Sequence, residues 1–143
     1  MPQLDSDAFT YSDGNLDTVS SAKWTQCSGM SDLKVLTNQV AGFGAGNDAA
    51  DVITTWSGST TDQYSQVVVG TVASDGGPTI RSAATSTFYL LDINTTAFRV
   101  YKCVSGTFTQ LSTITNAAVA TDTIYIEMQG STIITKKNGT TVN

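Results

Sequence analysis

Apolar and polar residues alternate with period two along almost the whole chain, and Gly, Asn, Asp and Ser break the alternation at short intervals. Successive side chains of a strand point to opposite faces, so this rhythm fits strands with one face in a core, whereas helices need a period near 3.6. Residues 123–128 show it best. Ile124, Ile126 and Met128 fall on one face, and Thr123, Tyr125 and Glu127 on the other. Composition agrees: Thr and Ser supply 39 of the 143 residues, and Glu occurs once, at Glu127. That balance favours strands over helices.

The same rhythm predicts strands over residues 33–40, 51–56, 64–72, 79–82, 88–93, 98–104 and 107–114, with a further one over 132–137. Ser105-Gly106 and Asn138-Gly139 have the residue types of two-residue hairpin turns. Residues 42–46 and Asp75-Gly76-Gly77-Pro78 read as loops. Neither has the strand-then-helix setting of a phosphate-binding loop. The phase of the alternation places Phe9, Trp24, Val67, Val69, Leu90, Val100, Ile124 and Ile126 in the core. At 143 residues the expectation is one domain, residues 1–143, large enough to fold without a disulfide or a metal.

Net charge is −5, and the seven basic residues are scattered. No basic stripe exists to track a phosphate backbone, so nucleic acid is not an expected partner. The longest apolar runs fall far below the ~20 residues of a membrane-spanning helix. The first residues lack the basic start and apolar stretch of a secretion signal, so folding is expected in a reducing compartment. Cys27 and Cys103 are then expected to be buried thiols, and two thiols without any histidine make no standard zinc site.

Several segments, taken in order, resemble one known family. Asp7-Ala8-Phe9-Thr10, followed by Asp13-Gly14-Asn15-Leu16 and Trp24-Thr25, resembles an opening in which an Asp-x-Phe strand leads through a turn to a Trp-Thr pair. Leu36-Thr37-Asn38-Gln39-Val40 resembles the next strand, and Asp62-Gln63-Tyr64-Ser65-Gln66-Val67-Val68-Val69 the central one. Ile80-Arg81, Phe88-Tyr89-Leu90-Leu91, and Val100-Tyr101-Lys102-Cys103-Val104-Ser105-Gly106 with Thr109-Gln110-Leu111 resemble the later strands. The family is that of the concanavalin A-like, laminin-G-like jelly-roll modules of bacterial surface proteins and phage virion proteins. The resemblance implies an all-β fold, a two-sheet antiparallel jelly-roll sandwich. Activity does not follow from it, because this fold hosts lectins, glycanases and inert spacers.

Glycoside hydrolysis needs two carboxyl groups flanking the scissile bond. With Glu127 the sole Glu, the Glu-x-Asp-x-Glu arrangement of the glycanase branch is absent, and Glu127 is expected to be an outward, solvated carboxylate. The chain has no histidine, which excludes Ser/His/Asp and Cys/His nucleophile systems. No catalytic residue and no cofactor are expected. Asp5, Asp7, Asp13 and Asp17, and Asn47, Asp48 and Asp51, have the oxygen ligands that suit calcium, but neither group has the spacing of a defined calcium loop. Turn formation accounts for them.

Sugar stacking would draw on Trp24, Trp56, Tyr11, Tyr64, Tyr89, Tyr101 and Tyr125, most of which a small sandwich uses for packing. Asn94-Thr95-Thr96 and Asn138-Gly139-Thr140 match the glycosylation pattern but are expected to be turns. The expected function is a non-catalytic structural or adhesion module of a virion (a capsid decoration or tail-associated protein) or of another surface assembly. The alternative is a carbohydrate-binding module of a larger secreted protein. The expected partners are protein subunits of the assembly, with surface glycans as the second class. In the family a longer closing strand follows the last hairpin, so a partner at the C-terminal strand edge, or a longer parent chain, is expected to complete the sheet.

Overall fold

The computed structural model describes residues 6–42, 51–53, 62–71, 76–83 and 86–142. These fall into two compact units, one drawn from residues 2–58 and 83–86 and the other from 59–82 and 87–143. Almost all regular structure is strand, as the period-two patterning requires.

The N-terminal unit carries β1 (Gly14–Asn15), a single helical turn α1 (Leu16–Val19), β2 (Trp24–Gln26), β3 (Leu33–Leu36), β4 (Gln39–Gly42) and β5 (Asp51–Ile53). β1, β3 and β4 form one antiparallel sheet, and β2 pairs with β5. Leu16, Cys27 and Val35 are buried. The strand expected over residues 33–40 is in fact two strands. Thr37 and Asn38 turn between β3 and β4 with φ of 52° and 60°, the left-handed pair of a type I′ hairpin. The amide of Thr37 donates to Asp13 Oδ1 at 2.8 Å, which holds a non-glycine residue in that conformation. The strand expected over residues 51–56 is present at Asp51–Ile53, and residues 54–56 lie outside the described residues.

The C-terminal unit is a pair of four-stranded antiparallel sheets. β6 (Gln63–Val68), β11 (Thr123–Gln129), β12 (Thr132–Lys137) and β13 (Thr140–Thr141) form one sheet, in the order β13-β12-β11-β6. β7 (Thr79–Ala83), β8 (Thr87–Ile93), β9 (Phe98–Val104) and β10 (Thr107–Ile114) form the other, in the order β10-β9-β8-β7. The chain leaves the first sheet after β6, runs through the second as a meander, and returns at β11 to pair beside β6.

One apolar core serves both sheets, with Ile80, Leu91, Ile93, Phe98 and Val100 from one and Ile124, Ile126 and Met128 from the other. Of the expected core residues, Val69, Val100, Ile124 and Ile126 are buried. Phe9, Trp24, Val67 and Leu90 are only half-buried. Leu90 fails because β8 is set one residue out of the assumed phase. Leu91, with no exposed surface, and Ile93 take the core side, opposite Val100 and Phe98 of β9. Leu90 faces the other way, on the side where Phe88 and Tyr101 meet Phe108 edge-on at centroid distances of 5.9 and 6.2 Å.

Both sequence-predicted hairpin turns form. Ser105 and Gly106 join β9 to β10 with φ of 48° and 82°, and Asn138 and Gly139 join β12 to β13 with φ of 50° and 81°. β10 carries a bulge: Gln110 stands opposite Tyr101 and Ser112 opposite Val100, which leaves Leu111 as the extra residue.

Candidate functional site

On the outer face of β11 the register sets Glu127 between Tyr64 of β6 and Ile134 of β12, and Tyr125 between Gln66 and Lys136. Glu127 is not the outward, solvated carboxylate expected of its strand position. Only 6% of it is exposed. Its Oε1 accepts from Gln129 Nε2 at 2.7 Å and its Oε2 from Lys136 Nζ at 3.2 Å. Neighbours on three adjacent strands cover a side chain that period two alone assigns to solvent. Burial by itself would push the Glu127 carboxyl up, but the hydrogen bonds from Gln129 and Lys136, the Lys136 charge and the Tyr125 hydroxyl outweigh it and hold the group below its ordinary value.

Tyr125 stacks on Tyr64 at 5.2 Å between centroids, and Lys136 Nζ lies 4.6 Å from the Tyr125 centroid. Tyr64 approaches from β6 and Lys136 from β12, on opposite flanks of β11. Both faces of the Tyr125 ring are therefore occupied by the chain's own side chains. Burial, then the charge of Glu127, pushes the Tyr125 phenol up to about 12.

Three further acids follow the same plan: a carboxylate side chain less than a tenth exposed beside a cation about a quarter exposed. Asp7 meets Lys23 at 3.4 Å, Asp92 meets Arg99 at 3.1 Å and Asp122 meets Lys137 at 2.9 Å. The long cationic stem reaches water while the short acid stays inside. Asp7 also accepts from the Tyr11 hydroxyl at 2.6 Å, Trp24 Nε1 at 2.8 Å and the Phe9 amide at 2.8 Å. Its burial acts upward on the carboxyl, and these donors with Lys23 outweigh it and hold the group low. Asp122 is held low first by the Val119 amide, against burial, and then by Lys137 and Asn138.

The described acids of the first candidate calcium group accept hydrogen bonds within the chain. Asp7 is filled by the donors just named, and Asp13 accepts the Thr37 amide. Asp17 accepts the Thr18 hydroxyl at 2.9 Å and contacts Asp32, and these hydrogen bonds hold its carboxyl low. Asp5, Asn47 and Asp48 lie outside the described residues, and Asp51 is described only as part of β5. Of the remaining aromatics, Tyr89 packs on the core and the Tyr101 hydroxyl donates to Gln110 Oε1 at 3.1 Å. Trp56 lies outside the described residues. Cys27 and Cys103 are buried thiols.

Both glycosylation patterns sit in turns with the asparagine engaged. Asn94 Oδ1 accepts from the Thr96 and Ala97 amides at 2.9 and 2.8 Å. Asn138 donates through Nδ2 to Asp122 and accepts the Thr123 amide, each at 2.8 Å. The pairs Asp92–Arg99 and Asp122–Lys137 are not apparent from composition or motifs. Asp92 and Arg99 become readable once the β8–β9 hairpin is registered, because they stand opposite each other.

A different kind of surface lies at the end of the other sheet. β10 is the last strand in the order β10-β9-β8-β7, and six of its eight residues are exposed. Phe108 and Ile114 are the two that are half-buried. No residue between 103 and 121 is charged. Compared with known proteins, the chain matches no protein-family model, no curated protein and no solved structure.

Proposed function

We propose that this chain is a non-catalytic structural module of a virion or other surface assembly, built on a concanavalin A-like jelly roll, that meets its protein partners along strand edges. The exposed, uncharged edge of β10 carries the proposal. An open edge offers a row of backbone donors and acceptors to another strand, and proteins that avoid such pairing place Lys, Pro or inward charges there. β10 has none of these, and its bulge at Leu111 lies beyond the unbroken register of residues 107–110. The path from β6 through the β7–β10 meander and back to β11 supports the jelly-roll part of the proposal. At the C-terminal edge β13 is only two residues long, and a partner strand beside it belongs to the same proposal.

The described carboxylates do not suit a general acid. A general acid must hold its proton near neutral pH, and Asp7, Asp122 and Glu127 are each held low by several donors, so they stay anionic there. A lectin-like role draws less support. The Tyr64–Tyr125 pair is the natural platform for a sugar, and Tyr125 has no ring face left to offer. Sedimentation over a concentration series, run beside a glycan array, tests the choice. Protein–protein association without glycan selectivity is the expected result. A chain that stays monomeric and binds one glycan class selectively would overturn the proposal.

A further inference from the structure

We infer that the partner along β10 is a second copy of this chain, paired antiparallel through the edge at residues 107–110. The inference rests on the functional proposal above and goes one step further by naming the occupant. An antiparallel strand edge is complementary to itself under a two-fold axis, because the copy runs in the opposite direction and its donors meet acceptors.

Charge selects the place of contact. Each copy carries −5, so two copies repel overall, and they repel least where the touching strands themselves carry no charge. The uncharged stretch at residues 103–121 contains all of β10 and the turn that leads into it. An oppositely charged partner gains nothing from such a strip, whereas a like-charged copy meets the least repulsion there.

The bulge sets the length of contact. Residues Thr107, Phe108, Thr109 and Gln110 pair in unbroken register with Val104, Cys103, Lys102 and Tyr101 of β9, and the register shifts beyond Gln110. The straight part of the edge is therefore the part next to the Ser105-Gly106 turn. Thr107 and Thr109 are exposed on one side of it and able to pair with threonines of the copy. Leu111, 49% exposed, flanks the contact. So short a ladder lies well below the ~1,200 Å² or more of a standard stable interface. The dimer is accordingly weak and reversible, strengthened on a surface where many copies are held together.

Sedimentation velocity over a concentration series, at low and high salt, tests this with the full chain, Thr109→Lys and Val68→Lys. Val68 is the exposed apolar residue of β6, the edge of the other sheet, and circular dichroism checks that both variants fold. The wild type and Val68→Lys should shift from monomer to dimer as concentration rises, and more readily at high salt, which screens like-charge repulsion. Thr109→Lys should remain monomeric at the highest concentration. Dimerisation of Thr109→Lys equal to wild type, loss of it in Val68→Lys, or weakening by salt each overturns the inference. A wild type that is monomeric throughout overturns the copy as partner alone, because β10 then stays open to a different protein strand. The functional proposal falls only if that monomer also selects a glycan on the array.

Discussion

A methyl group on Gly77 would sit 2.1 Å from the carbonyl oxygen of Leu91. The close approach exists because residues 76–78 run on beside β8: the Leu91 amide donates to Pro78 O at 3.0 Å and the Ile93 amide to Gly76 O at 2.9 Å. Overpacking of this kind costs about 1–3 kcal/mol, so Gly77→Ala should lower the urea midpoint by that equivalent, and an unchanged midpoint would mean that residues 76–78 do not pack this closely on β8. Ile126 has no exposed surface. Its truncation to Ala should cost about 2–5 kcal/mol, as large-to-small core changes do, and a cost near zero would mean that the β11 register is wrong. Tyr125 gives a test at alkaline pH. Its unfolded phenol ionises near 10 and the folded one only near 12, so the folded state loses stability as pH rises from 10 towards 12. Glu127→Gln removes a neighbouring negative charge and should bring the Tyr125 titration, followed by absorbance, to lower pH.

The last hairpin shows how single residues hold an element. Asn138 sits at positive φ, donates to Asp122 and accepts the Thr123 amide, so the turn after β12 is tied to the start of β11. Lys137 adds its ion pair to Asp122 and a hydrogen bond to Ala117 O at 2.6 Å. Because the folded-state value of Asp122 is lowered, its contribution is complete above the ordinary 3.8 and is lost as pH falls through the folded value. Asp122→Asn should therefore flatten the acid limb of a melting-temperature profile, and an unaltered limb would remove Asp122 as a cause.

Strands and turns with strong local signals were legible at this scale: β11 from its alternation, and the two hairpins from Ser-Gly and Asn-Gly. The turn at Thr37-Asn38 was not, because a side-chain acceptor 24 residues away, Asp13, helps to stabilise it. Nor was the phase of β8. In 88–93 large apolar residues occupy both faces, since Phe88 and Leu91 are both buried, and alternation then loses its meaning. The burial of Glu127 is hidden from the sequence for a related reason, because cover from β6 and β12 appears only once the sheet order is known.

At the scale of the whole molecule the account turns on which surfaces are closed and which are left open. The buried carboxylates are closed by cations, amides and hydroxyls, and the stacked tyrosine by a lysine. Among the described residues β10 ends its sheet, and it is uncharged and in unbroken register over its first half. The all-β class was legible from period two alone, and the edge that matters was not, because which strand ends a sheet is a property of topology rather than of sequence rhythm. Hydrogen–deuterium exchange measured as a function of protein concentration tests the central claim at the bond where it applies. Amides of Thr107–Gln110 that point away from β9 should exchange rapidly in dilute solution and become protected as concentration rises, while the β11 amides stay protected throughout. Exchange in β10 that is independent of concentration would contradict association between copies along this edge.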